Sequence, residues 1–331
     1  MAITAPIPTL TSADPVDFLT DPLALNIFRQ ALIAAVVMGA TCGAIGAYVV
    51  LRRLAFIGDA LSHAVFPGVV VAYVAGLPIF AGAMVAGALT SVAIAVVSRG
   101  QRIREDTAIG IFFAGAFALG IVLISTQSGY QRDLSAFLVG DLLAAGWDDI
   151  AVSALTGAGV IGVLVALRKE LLLVSFDRTY AQALGYPVFV LELLLLLLLT
   201  ATIVVSLSAV GIILVLAMLV TPAATARLLV DRFTPMMVLG AVLGALYGIV
   251  GWYVSYHLGW SPGGSIVLVA TLAFVIAFIF SPSHGLLAHR LRRHPQHSAR
   301  RAAIDQPSGH DHVEAEEAVV ASLERRHPPG R

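Results

Sequence analysis

The sequence predicts an all-α polytopic membrane protein with nine transmembrane helices, its N-terminus outside and its C-terminus cytoplasmic. Three observations predict it. Hydrophobic residues make up 59% of the 331 and charged residues 12%, with a mean hydropathy of +0.92, whereas a soluble domain carries about 25% charged residues. The apolar residues fall into successive stretches of about 20, the length that crosses the hydrocarbon layer. The arginines gather in alternate loops, as basic residues do in short cytoplasmic loops.

Taken in order, the spans fall near 24–51, 55–76, 78–98, 107–126, 149–167, 187–206, 209–229, 235–256 and 264–281. An eight-span version requires the stretch Leu193–Leu219 to be counted differently. Arg52 and Arg53, then Arg99, Arg102 and Arg104, then Arg168, Lys169 and Arg178, then Arg227 and Arg232 all fall on one side with the tail. Arg132, and Arg29 near the start of the first span, fall outside that pattern. The chain thus divides into a polar N-terminal lead, 1–22, a transmembrane domain, 23–282, and a cytoplasmic tail, 283–331. The lead has no Lys or Arg and does not resemble a cleavable signal peptide. Eight of the 20 basic residues, six of the 20 acidic ones and seven of the nine histidines follow Ser283, His310 and His312 among them. Histidine-rich tracts can bind metal, but a tail rich in Arg, Glu, Pro and Ala without an apolar face favours disorder. The single cysteine, Cys42, lies in an apolar stretch and forms no internal disulfide.

Two segments do not span. Residues 127–149 are expected outside, as an interfacial or re-entrant helix anchored by Tyr130 and Trp147, with Asp133, Asp141, Asp148 and Asp149 read as solvated loop charges. Residues 168–187, RKELLLVSFDRTYAQALGYP, are expected in the cytoplasm. Helical spacing there runs through Thr179, Ala181 and Leu184 and stops at Gly185, and Pro187 opens the next span. A short exposed helix between two spans suits docking to another protein.

The chemistry concentrates in the second span, FIGDALSHAVFPGVVVAYVAG, where Asp59 and His63 stand one helical turn apart. A carboxylate in the bilayer core costs about 2.5–3.5 kcal/mol on insertion scales and normally faces protein interior or a watery path. Side chains at i and i+4 share one helix face, so both groups can reach one cation. Carboxylate with neutral imidazole suits divalent first-row metals. Pro67 removes the N–H that would serve the His63 carbonyl, so a kink at Pro67 and Gly68 adds polarity beside the pair. Asp59 and His63 pairing with each other, or with Ser62, as a purely structural contact is the alternative that spacing leaves open. Pro222, after Thr221, frees the Met218 carbonyl and gives a second kink beside a pathway, or one made for packing. Glu192 near the inner end of the sixth span and His257 at the outer end of the eighth are read as an interhelical contact and an interfacial histidine.

The run GDALSHAVFPGVVVAY, 58–73, closely resembles the signature of ATP-binding-cassette permeases that import manganese, zinc or iron. LVGDLLAAGW at 138–147, SFDRTYAQALGY at 175–186, VGIILVLAMLVTPAATARLL at 210–229 and SPGGSIVLVATLAF at 261–274 resemble that family in the same order. The resemblance covers roughly residues 25–282 and implies the membrane subunit of a metal importer. It implies that Asp59 and His63 lie on the cation path, and that Phe176, Asp177, Ala181, Leu184 and Gly185 belong to the helix that meets the ATPase. It also implies the partners: a cytoplasmic ATPase pair, an extracytoplasmic metal-binding protein and a second permease copy, identical or a paralogue. The form DAxSHAVxPGVVxAY looks more like the manganese and iron members than the zinc members, which favours manganese. The metal is cargo, with no resident cofactor, and the location implied is the bacterial inner membrane, in contact with lipid and not with nucleic acid.

The residues agree that energy comes from elsewhere. A P-loop needs GxxxxGK[ST], and Lys169, the only lysine in the chain, has no such loop around it. The chain is therefore not expected to be an enzyme. A proton-coupled carrier using Asp59 and His63 as a relay is the rival of another class, weakened by the lack of an inverted repeat. A permease for chelated iron or a cobalt-containing vitamin is a rival within the superfamily, although bulky solutes do not call for an Asp and His pair.

Overall fold

The structure, a computed structural model, describes residues 26–100, 103–126, 142 and 146–281, without the side chains of Ser208 and Ala209. The N-terminal lead, most of segment 127–149 and the tail from residue 282 lie outside the described residues. The chain divides into two units at Ile279, and the helices pack within the first.

Among the described residues there are helices and no strand. They are α1 (Asn26–Leu51), α2 (Ile57–Ala64), α3 (Phe66–Val74), α4 (Ile79–Ser98), α5 (Glu105–Ser125), α6 (Trp147–Ala166), α7 (Arg168–Phe176), α8 (Arg178–Ala183), α9 (Val188–Val210), α10 (Ile212–Leu229), α11 (Phe233–Leu258) and α12 (Pro262–Phe280). With α2 and α3 taken together as Ile57–Val74, nine of these segments are long and apolar enough to span a bilayer. Each expected span end lies within four residues of an observed helix end.

The stretch Leu193–Leu219 resolves as two helices, because Gly211 alone separates α9 from α10 at φ 85° and ψ 165°. A side chain is strained in that backbone conformation, which glycine adopts freely. Trp147 opens α6, and Asp148 and Asp149 lie in its first turn. There the Asp149 carboxylate accepts the Gly146 N–H at 3.0 Å, as acidic groups do at helix starts.

Small residues decide where α1 sits. Ala31, Ala34, Ala35, Gly39, Cys42, Gly43, Gly46 and Ala47 are buried on several faces of the helix, which packs against α6, α10 and α11. A Cβ on Gly39 would strike the Gly244 carbonyl of α11, and one on Gly43 the Gly240 carbonyl. A Cβ on Gly46 would strike the Leu219 carbonyl of α10. Glycines four apart on both helices let the backbones approach, and in lipid such contact replaces the absent hydrophobic drive.

A second group is formed by α2, α3, α4 and α5. The backbones of α3 and α4 meet at Gly68 and Gly82, each of which blocks a Cβ on the other. Contacts from α9 reach α4 in one group and α6 in the other. The Ser91 and Thr200 hydroxyls, 2.7 Å apart and buried, join α4 to α9. Such bonds between membrane helices contribute about 0.6 kcal/mol each.

Overpacking a tight contact costs about 1–3 kcal/mol. Gly43→Val is therefore expected to lower the thermal midpoint of the detergent-solubilised protein by several degrees. Gly162→Ala, where an added Cβ meets nothing within 4 Å, is expected to leave it unchanged or slightly raised. A scanning fluorescence melt compares the two.

Candidate metal site and docking segment

Five residues separate the end of α1 from α2, which carries both candidate ligands. His63 Nδ1 lies 3.5 Å from Asp59 Oδ1 and 2.9 Å from the Asp59 backbone oxygen. The second distance is a hydrogen bond and the first is too long for one. A carbonyl only accepts, so this bond places a hydrogen on Nδ1 and, in the neutral ring, leaves the lone pair on Nε2. Holding one imidazole nitrogen with a carbonyl or carboxylate is how proteins orient a histidine whose other nitrogen binds metal. The Asp59 side chain is 40% exposed and that of His63 24%. Ser62 does not join the pair: its hydroxyl is buried and donates to the Gly58 carbonyl at 2.7 Å.

Two phenylalanines of α5 fix the ring. The centroids of Phe113 and Phe117 lie 5.5 Å and 5.2 Å from that of His63, at interplanar angles of 77° and 86°. Such edge-to-face arrangements are the favoured ones for aromatic groups. Sequence reasoning missed both residues, because α5 reads as a plain lipid-crossing stretch. Their four-residue spacing, which makes them neighbours on one helix surface, is the signal that was present. Among the described residues no cluster of three or more His, Cys, Asp or Glu side chains forms, and Asp59 and His63 stand as a pair.

The expected kink residues divide. The second span is broken at Val65, between α2 and α3, and Pro67 lies in the first turn of α3, where its missing N–H is tolerated. Gly68 is the point of contact with α4. Pro222 is buried inside α10, which runs unbroken from Ile212 to Leu229. One turn earlier, Leu219 reaches α2 at Gly58. His257 lies in the last turn of α11, edge-to-face with Tyr256 with centroids 5.2 Å apart.

The segment expected as one docking helix is two. Between α7 and α8 stands Asp177, whose backbone is extended and whose carboxylate accepts the Tyr180 N–H at 2.8 Å. That is an N-cap, and it starts α8. The helix stops because Gly185 takes φ 82°. Tyr186 N–H then reaches the Ala181 carbonyl at 3.1 Å and Gly185 N–H the Gln182 carbonyl at 3.0 Å, the paired bonds of a Schellman ending. Phe176, Asp177, Leu184 and Gly185 are exposed, together with Tyr180. Ala181 is fully buried. Two polar contacts tie the segment to the spans: Arg178 to Glu192 of α9 at 3.2 Å, and Ser175 to Arg52 at the end of α1 at 3.1 Å. Glu192 is thereby an interhelical partner of Arg178.

With the geometry established, comparison with known proteins places the chain. Residues 24–281 match the ABC 3 transport family. The manganese transport system membrane protein MntC of Halalkalibacterium halodurans is 45% identical over 275 residues, 83% of this chain and 94% of the relative. The chelated iron transport system membrane protein YfeC of Yersinia pestis is 37% identical over 84% of this chain and 96% of its own length. Among solved structures, PsaBC from Streptococcus pneumoniae in complex with Fab matches with a TM-score of 0.72 and 36% identity, covering 83% of this chain and 99% of that one. A putative metal-chelate type ABC transporter in an inward-facing conformation shares the fold, with a TM-score of 0.63 at 19% identity. The chain belongs to the ABC 3 transport family and is a multi-pass bacterial membrane protein of the metal-importer permease type.

Proposed function

We propose that this chain is the permease subunit of an importer that carries a divalent transition metal, manganese in preference to zinc or iron, driven by ATP hydrolysis on a partner. The observation that carries the reading is the Asp59–His63 pair: a carboxylate and an oriented imidazole, partly exposed, inside a membrane span. The names of relatives support the class of cargo, since manganese and iron transport proteins both occur among them. A site of one imidazole and carboxylate oxygens suits manganese, although zinc binds such donors more tightly where both are present.

Two side-chain donors are too few to hold a cation stripped of water. The Asp59 carboxylate is 40% exposed, and a second permease copy that brings its own Asp59 and His63 would complete the shell. Phe176, Tyr180, Leu184 and Gly185, with Asp177 as the cap that shapes them, form the surface for a cytoplasmic ATPase, and the buried Ala181 seats α8 against the spans. The arginine-rich loops put this surface and the C-terminus in the cytoplasm, which leaves the opposite loops for an extracytoplasmic metal-binding protein.

Asp59→Ala and His63→Ala are each expected to abolish accumulation of radiolabelled Mn²⁺ in vesicles holding the permease, ATPase and binding protein, while the ATPase still co-purifies. Unchanged uptake in both variants would refute the assigned site. Truncating an apolar anchor at an interface costs about 2 kcal/mol or more. Phe176→Ala combined with Leu184→Ala should therefore weaken co-purification of the ATPase and its stimulation by tenfold or more, as read by pull-down and phosphate release. Removal of residues 290–331 is expected to leave uptake near the full-length rate in the same vesicles.

A further inference from the structure

We propose that Arg52 is a positioning residue that passes movement of the α7–α8 segment to the cation site. The inference rests on the reading that this segment meets an ATPase and that Asp59 and His63 hold the metal.

Arg52 stands where three elements meet. Its Nε–H donates to Ser175 Oγ in the last turn of α7 at 3.1 Å, and its Nη1 lies 3.8 Å from Oε1 of Glu105, the first residue of α5. Its side chain is only 6% exposed, yet Nη1 has no hydrogen-bond partner. A buried guanidinium with one arm bonded and the other about 1 Å beyond a charge-assisted hydrogen bond has a second arrangement close by. Ser175 is itself fixed to α7 through its bond to the Leu171 carbonyl at 2.6 Å, so displacement of α7 acts directly on the guanidinium. Glu192, held by Arg178 of α8, lies within electrostatic reach of both Arg52 and Glu105. Both docking helices therefore bear on one charge cluster.

From Arg52 two routes lead to the site. Along α5, Glu105, Ile109, Phe113 and Phe117 follow at four-residue steps, which makes each the surface neighbour of the next. Ile109 is buried, and the last two bracket the His63 ring. Along the chain, α1 ends in a tight turn in which Leu54 N–H reaches the Val49 carbonyl at 2.9 Å and Arg53 takes φ 60°. Left-handed backbone is strained for a residue with a side chain, and α2 starts at Ile57, two residues before Asp59. A shift of the guanidinium is thus delivered to the imidazole through its phenylalanine bracket and to the carboxylate through the turn.

The test uses the whole transporter, permease with ATPase and binding protein, in proteoliposomes, with radiolabelled Mn²⁺ as probe and phosphate release measured alongside. Arg52→Gln is expected to assemble, to bind Mn²⁺ as the parent does and to hydrolyse ATP, while uptake per ATP falls about tenfold, within the usual range for coupling between sites. Arg52→Lys, which keeps the charge but loses the fork, should lie between. Should Arg52→Gln fail to fold, Glu105→Gln and Ser175→Ala each remove one arm and should each lower uptake per ATP. Their combination should fall by less than the product of the two losses, the mark of interacting residues. Uptake per ATP equal to the parent in these variants overturns the proposal. So does a loss of uptake matched by equal losses of assembly and hydrolysis, which is what a purely structural anchor gives. Absence of ATP-dependent Mn²⁺ uptake by the parent transporter would instead refute the importer reading itself.

Discussion

Hydrocarbon does not solvate polar groups, so a membrane-spanning chain must satisfy them from within. Many of the hydroxyls along these spans obey that constraint. Ser62, Thr90, Ser153, Thr202, Thr225 and Thr271 each donate to the carbonyl four residues back, and Thr200 does so while also meeting Ser91. Against that background the Asp59 carboxylate stands apart, with His63 Nδ1 at 3.5 Å in place of a close donor. A group so incompletely answered in a membrane helix carries a cost, which the proposed passage of a cation would offset.

The rest of the molecule holds that exception in place. Glycine contacts bring α1 against α10 and α11, closer than side chains would allow. Leu219 of α10 presses on Gly58, the residue before Asp59, so the packed group supports the site-bearing helix from behind. The α5 phenylalanines close on the imidazole from the other group. Position and orientation of Asp59 and His63 thus come from different parts of the fold.

Much of this was legible in the sequence. Span length and hydropathy marked nine spans with ends off by four residues at most, because crossing a bilayer imposes a length on every segment. The Asp59–His63 juxtaposition followed from helical spacing alone. The contacts that depend on distant residues left no such trace: the meeting of Gly68 with Gly82, and of Leu219 with Gly58, has no local period to announce it. The docking helix read as one piece, because Asp177 is unremarkable until its carboxylate is seen to accept the Tyr180 N–H. Arg52 read as a topology marker, and its bond to a serine 123 positions away has no local period to reveal it.

The meeting of Gly68 with Gly82 bears on how such a protein can change shape. Two backbones in direct contact cannot slide without collision, so α3 and α4 form one stiff body. Val65, fully buried where the second span is interrupted, is the seam at which this pair hands over to α2. Any displacement of the pair therefore travels as one piece, and the seam is where it meets the helix that carries Asp59 and His63.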